Sequence, residues 1–133
     1  MANTLMCIRF EFADLVYELT GAFPHEERFG LTNQMRRAAV SISSNLAEGS
    51  SRASRIDFAR FVEIATGSLF EIVSQSTIAR RRKIITQTSY DQIYATAEKQ
   101  SGLRRTATTR LQPARLPLQG ALTLNFQLRT LNR

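Results

Sequence analysis

Residues 54–83 read SRIDFARFVEIATGSLFEIVSQSTIARRRK, and their pattern decides the fold class. Phe58, Val62, Ala65, Leu69, Ile72, Ser76 and Ala79 recur at alternating steps of four and three, the spacing of a helix-bundle seam. Ser54 with Asp57 three residues on makes a capping-box-like start: the hydroxyl can accept from a free first-turn amide, and the carboxylate favours the positive helix end. Arg80, Arg81, Arg82 and Lys83 close the segment with cations that suit its carbonyl end. The spacing therefore predicts one long helix. Ile64, Phe70 and Ile78 fall off the seam, which suggests a second packing surface such as a subunit interface. Gly67-Ser68 costs this helix about 1 kcal/mol of propensity relative to Ala, and close approach of a neighbouring backbone is the expected compensation.

Working toward the amino terminus, Leu31, Met35, Ala38, Ala39, Ile42 and Leu46 keep helical spacing and predict a helix over about residues 31–47, with Gly49 as its terminator. Its many Ala and Ser residues make it narrow, which suits an inner element. Leu5, Ile8, Phe12, Leu15, Val16 and Leu19 predict an earlier helix over about residues 5–21. Gly21 and Pro24 break that pattern, and residues 23–30 read as a connection with room for one short turn. Beyond the basic run, Thr88 and Asp91 offer a second capping pair, and Tyr90, Ile93, Tyr94 and Ala97 mark a fourth helix to about Arg105. The expected fold is all-α, an antiparallel up-and-down four-helix bundle over residues 1–105. Residues 106–133 hold no Asp, Glu or Lys and two of the three prolines, and a poorly ordered basic tail is expected there.

The net charge of +7 is unevenly placed. Residues 1–79 carry 7 Arg against 9 acids, and residues 80–133 carry 11 Arg or Lys against 2 acids. Clustered cations attract phosphates through Coulomb forces and counterion release, so a polyanionic partner is indicated. Arg80, Arg81, Arg82 and Lys83, with Arg104 and Arg105, are the candidate nucleic-acid-binding residues. The plainer reading is a solvated, dipole-matched helix end, since no base-reading motif accompanies them. Tyr90 and Tyr94 could stack on bases, but their helical spacing favours core packing.

No catalytic or metal centre is expected. His25 and Cys7 are single and far apart, short of the three or four ligands a zinc site needs, and no nucleophile-elbow glycine pattern is present. Glu48 and Glu71 read as acceptors or as partners of Arg37 or Arg52 between helices, in preference to general acids. No cofactor or small-molecule substrate is indicated. The lone cysteine, the lack of a secretory leader and the lack of about 18 consecutive apolar residues predict a soluble cytoplasmic protein with no membrane partner.

At Phe23-Pro24, at Phe29-Gly30-Leu31 and above all at residues 34–49, QMRRAAVSISSNLAEG, the chain resembles the four-helix bundle proteins encoded in intervening sequences of 23S ribosomal RNA genes. The likeness continues through Phe58, Phe61, Ile64-Ala65, Gly67-Ser68-Leu69 and Glu71, and covers roughly residues 9–105. It implies an up-and-down bundle assembled as a ring-like homopentamer, with an RNA-related role inferred from where such genes lie. Arg36, Arg37, Asn45, Glu48, Gly49, Gly67, Ser68 and Glu71 carry the motif and are expected to be structural. The preferred expectation is a non-enzymatic, oligomeric helical scaffold touching RNA or a ribonucleoprotein through the basic ends of helices three and four. The rival is a protein-interaction or purely structural bundle with no nucleic-acid binding.

Overall fold

The computed structural model describes residues 2–108, with side chains described for residues 10–101. Four helices make up the fold: α1 (Ala2–Gly21), α2 (Leu31–Ser50), α3 (Arg55–Arg81) and α4 (Gln87–Thr108), with a single 3-10 turn at His25–Glu27 between the first two. Each helix packs on its chain neighbour and α1 closes on α4, so the four axes form a square with α2 against α3 as its most extensive side. Neighbours run in opposite directions. Gln34 meets Gln75, Ser41 meets Ser68, and Gly49 meets Phe61, which is the order two antiparallel helices require. The fold is therefore the expected all-α up-and-down bundle. The expected tail lies outside the described residues, apart from its first three, which continue α4 as far as Thr108.

The long central helix forms where its seam predicts. Val62, Ala65, Leu69, Ile72, Ser76 and Ala79 are all buried, and Phe58 is half-buried. They join Phe12 and Val16 of α1, Met35, Ala38, Ala39 and Ile42 of α2, and Ile93 and Ala97 of α4 in one core. Full burial of each larger aliphatic or aromatic side chain stabilises by about 1.5–3 kcal/mol, so this shared interior, more than helix propensity, holds the bundle together. Ser76, fully buried, does not leave its hydroxyl unpaired: it donates to the Ile72 carbonyl at 2.7 Å. Of the off-seam residues, Ile64 and Ile78 are exposed, whereas Phe70 is half-buried and packs on the core, contrary to expectation.

Helix ends show why each element stops. Ser54 caps α3 as predicted, its hydroxyl accepting from the Asp57 amide at 3.4 Å. Two caps differ from expectation. At α4 the capping hydroxyl belongs to Thr86, which accepts from the Ser89 amide at 3.1 Å, and Thr88 lies already inside the helix. Gly49 does not terminate α2, which runs on to Ser50; it is buried, and no described glycine has a positive φ. A Cβ there would lie 2.8 Å from the Phe61 Cβ and 3.2 Å from the Phe58 ring, so the position is bare because α3 passes against it. The converse holds at Gly67, where an exposed backbone has nothing within 4 Å of an added Cβ. The close approach expected at Gly67 is absent among the described residues.

The α3–α4 turn carries the one backbone strain among the described residues. Lys83 sits at φ 60°, in the left-handed region. Its amide donates to the Arg80 carbonyl at 2.9 Å and the next amide, of Ile84, donates to the Ala79 carbonyl at 2.8 Å. This is a Schellman closure with lysine where glycine is usual. The left-handed Cβ costs roughly 1–2 kcal/mol, and the extra unfolded-state freedom of glycine takes back about 0.4–1 kcal/mol. Lys83→Gly is thus expected to raise the urea midpoint, with a net gain of up to about 1.6 kcal/mol. A lower midpoint would mean that the Lys83 side chain holds the turn by contacts of its own.

Candidate nucleic-acid interface

Arg81, Arg82 and Lys83 are exposed at the turn where α3 ends, and none of them makes an ion pair among the described residues. Arg80 differs. It is half-buried, its guanidinium lies 4.5 Å from the centroid of the Tyr90 ring, and it donates to the Gln87 side-chain oxygen at 2.9 Å. It fastens the start of α4 to the end of α3, leaving its three successors to face solvent. The sequence expectation grouped these residues with Arg104 and Arg105, and the topology separates them. α4 starts beside the basic turn and runs away from it, so Arg104 lies about 25 Å farther along the bundle at 1.5 Å per residue. The two basic groups occupy opposite ends of the molecule. The side chains of Arg104 and Arg105 lie outside those described.

The α1–α2 connection shares the end of the bundle that carries Arg81, Arg82 and Lys83, because α1 and α3 both finish there, as the Gln34–Gln75 hydrogen bond between the start of α2 and the end of α3 requires. It presents His25, Glu26, Arg28 and Phe29 to solvent, with Phe29 83% exposed. The sequence places Phe29 in a connection and in the family motif without assigning it to a binding surface; an Arg-Phe pair inside a loop is the available signal. Tyr90 and Tyr94 are half-buried against the core with ring centroids 6.1 Å apart, as their spacing indicated. Burial pushes the Tyr94 hydroxyl above its ordinary pKa and the Glu98 carboxylate adds to the shift, so the group is a neutral part of the core at neutral pH.

Among the described residues no cluster of His, Cys, Asp or Glu could hold a metal ion, and no helix is long and apolar enough to cross a membrane.

A model of the 23S rRNA-intervening sequence protein family matches residues 7–104. The chain belongs to that family. A crystal structure from Bacteroides thetaiotaomicron VPI-5482, of a protein with unknown function from the S23 ribosomal protein family, has a similar fold, with a TM-score of 0.70 at 24% sequence identity. The likeness covers 77% of this chain and 95% of that one. No curated protein matches the chain.

In this member of the 23S rRNA-intervening sequence family, the motif residues divide between packing and one outward face. Arg36 is half-buried, donates from Nε to the Thr20 hydroxyl at 2.8 Å and lies over the Tyr17 ring, tying α2 to α1. Asn45 donates to the Ser41 carbonyl at 2.7 Å, and Ser68 donates to the Ser41 hydroxyl at 2.9 Å, joining α3 to α2. Glu48 pairs with Arg52, four residues on and just past the end of α2, and not between helices as expected; both side chains are about half exposed. Exposed pairs of this kind contribute about 0–1 kcal/mol. Arg37 and Glu71 line a shallow groove on the outer side of α2 and α3 together with Ser41 and Ser68. Neither makes an ion pair among the described residues, so of the two roles expected of Glu71, acceptor or interhelical partner, the pairing is not seen there.

Proposed function

We propose that this protein is a non-enzymatic, self-associating helical scaffold that contacts RNA or a ribonucleoprotein through the turn between α3 and α4. The supporting observation is the run of three adjacent, solvent-facing cations, Arg81, Arg82 and Lys83, held on a hydrogen-bonded turn in a chain whose family is tied to 23S rRNA intervening sequences. Charge placed this way neutralises phosphates and releases their counterions. Binding then weakens steeply with salt. Replacing Arg81 and Arg82 together by Ala is expected to lower RNA affinity and to reduce the slope of log K against log[salt] by about 0.7 for each single-strand phosphate that is no longer neutralised. Stability should stay within about 0.5 kcal/mol per site, because both side chains are exposed. Fluorescence anisotropy across a salt series reads the slope. Affinity that ignores salt would reject the reading.

Self-association has its own support on the outer side of α2 and α3. Val40, Ile64 and Ile78 are exposed there, Gly67 leaves open space beside them, and Arg37 and Glu71 offer opposite charges that form no ion pair among the described residues. A second copy laid on this face covers the apolar side chains and can pair the charges. The ring-like homopentamer implied by the family resemblance is one closed way to arrange such contacts. Light scattering measures the particle mass. An oligomer that binds no RNA favours the rival, a protein-interaction bundle, which the same exposed face also supports.

A further inference from the structure

Phe29 is the most exposed large hydrophobic residue described, at 83%. A lone exposed apolar side chain is ordinary, and three features set this one apart. Its backbone is fixed, since the Arg28 amide donates to the His25 carbonyl at 3.1 Å and the Gly30 amide to the Glu27 carbonyl at 3.0 Å. The Glu27 carboxylate also accepts from the Leu31 amide at 3.2 Å, pinning the turn to the first residue of α2. One side of the ring is occupied by the Arg28 guanidinium, 5.4 Å from its centroid, so a cation already accompanies the aromatic surface. Finally, the turn sits at the same end of the bundle as Arg81, Arg82 and Lys83. Axes of packed neighbours such as α2 and α3 lie about 8–10 Å apart, short enough for one strand to touch both turns.

From this juxtaposition we infer that Phe29 is a base-stacking platform and that this end of the bundle binds single-stranded RNA in preference to duplex. The inference rests on the RNA reading of the basic turn and adds to it the form of the ligand. Along a duplex the base faces are stacked and hidden, which leaves this surface phosphates, sugar hydroxyls and base edges but no face to stack on. In a single strand they are available, every base has one, and stacking therefore needs no sequence motif. Glu26, exposed on the same turn, repels phosphates, so the strand's backbone runs over Arg81, Arg82 and Lys83 while a base reaches toward Phe29.

The test is anisotropy of the full chain with a labelled single-stranded RNA, the same sequence as duplex, and the same strand carrying abasic sites. Phe29→Ala is expected to weaken single-strand binding about 5- to 150-fold, to leave duplex binding and the salt slope unchanged, and to lose any distinction between intact and abasic strands. Phe29→Tyr should retain binding. Circular dichroism confirms that the exposed substitution leaves the helices intact. If Phe29→Ala binds the single strand as wild type does while the salt dependence persists, the stacking role is overturned and the basic-turn reading survives. If wild type binds neither form at low salt, both fail.

Discussion

Phe12→Ala is expected to destabilise the bundle by about 3–5 kcal/mol, whereas Phe10→Ala, two residues earlier on the same helix, should change stability by no more than about 0.5 kcal/mol. The chemistry of the two substitutions is identical. What differs is direction: two residues advance roughly 200° around a helix, so Phe12 is 1% exposed in the core and Phe10 is 55% exposed. Phe12 is among the largest fully buried side chains described, and its helix is the one that closes the square by touching both α2 and α4. Truncation removes its transfer free energy and leaves a cavity that rigid neighbours fill only in part. Because a whole domain holds only about 5–15 kcal/mol, the loss should bring urea unfolding, followed by far-UV circular dichroism, down to low denaturant. Equal costs at the two positions would show that α1 is rotated relative to the arrangement described.

The interior of this protein is legible because burial obeys one simple rule, the 3.6-residue period. Val62, Ala65, Leu69, Ile72 and Ala79 could be named from spacing alone, as could Met35, Ala38, Ala39 and Ile42. Contacts that depend on which residue of another helix lies opposite could not. Gly49 looked like a helix terminator because glycine commonly is one, and only the position of Phe61 on α3 shows that it is a packing notch. Thr86 and Thr88 are both competent caps, and the difference of two residues is decided by the Schellman turn at Lys83, a left-handed residue that composition does not announce.

The candidate site divides along the same line. A run of cations is visible in any sequence, but whether each is spent on its own fold is not: Arg80 stacks on Tyr90 while Arg81 does not. Grouping Arg104 and Arg105 with the basic turn overlooks the expected topology itself, in which an antiparallel neighbour must carry its far end away. Phe29 is visible in the sequence as part of a loop and of the family motif, but its exposure is a property of the turn that Pro24 and Gly30 bracket.

Gly49→Ala and Gly67→Ala should have opposite signs, which makes them the sharpest check on how α2 meets α3. At Gly49 a methyl would sit 2.8 Å from the Phe61 Cβ, an atom tied to its own backbone and unable to rotate aside, with the Phe58 ring closing the other approach at 3.2 Å. Relief requires the two helices to separate, and overpacking of this kind costs about 1–3 kcal/mol, more than the gain of up to about 1 kcal/mol that alanine brings to a helix. At Gly67 nothing lies within 4 Å, so the propensity gain of about 0.5–1 kcal/mol is left unopposed. Urea midpoints measured at low protein concentration should fall for the first variant and rise for the second. Self-association adds a further distinction: if a second copy covers the outer face of α3, Gly67→Ala will weaken the oligomer in light scattering while stabilising the subunit. A rise in the midpoint for Gly49→Ala would mean that the notch between the end of α2 and the start of α3 is not closed, and that the Ala-Glu-Gly end of the motif is kept for something other than packing.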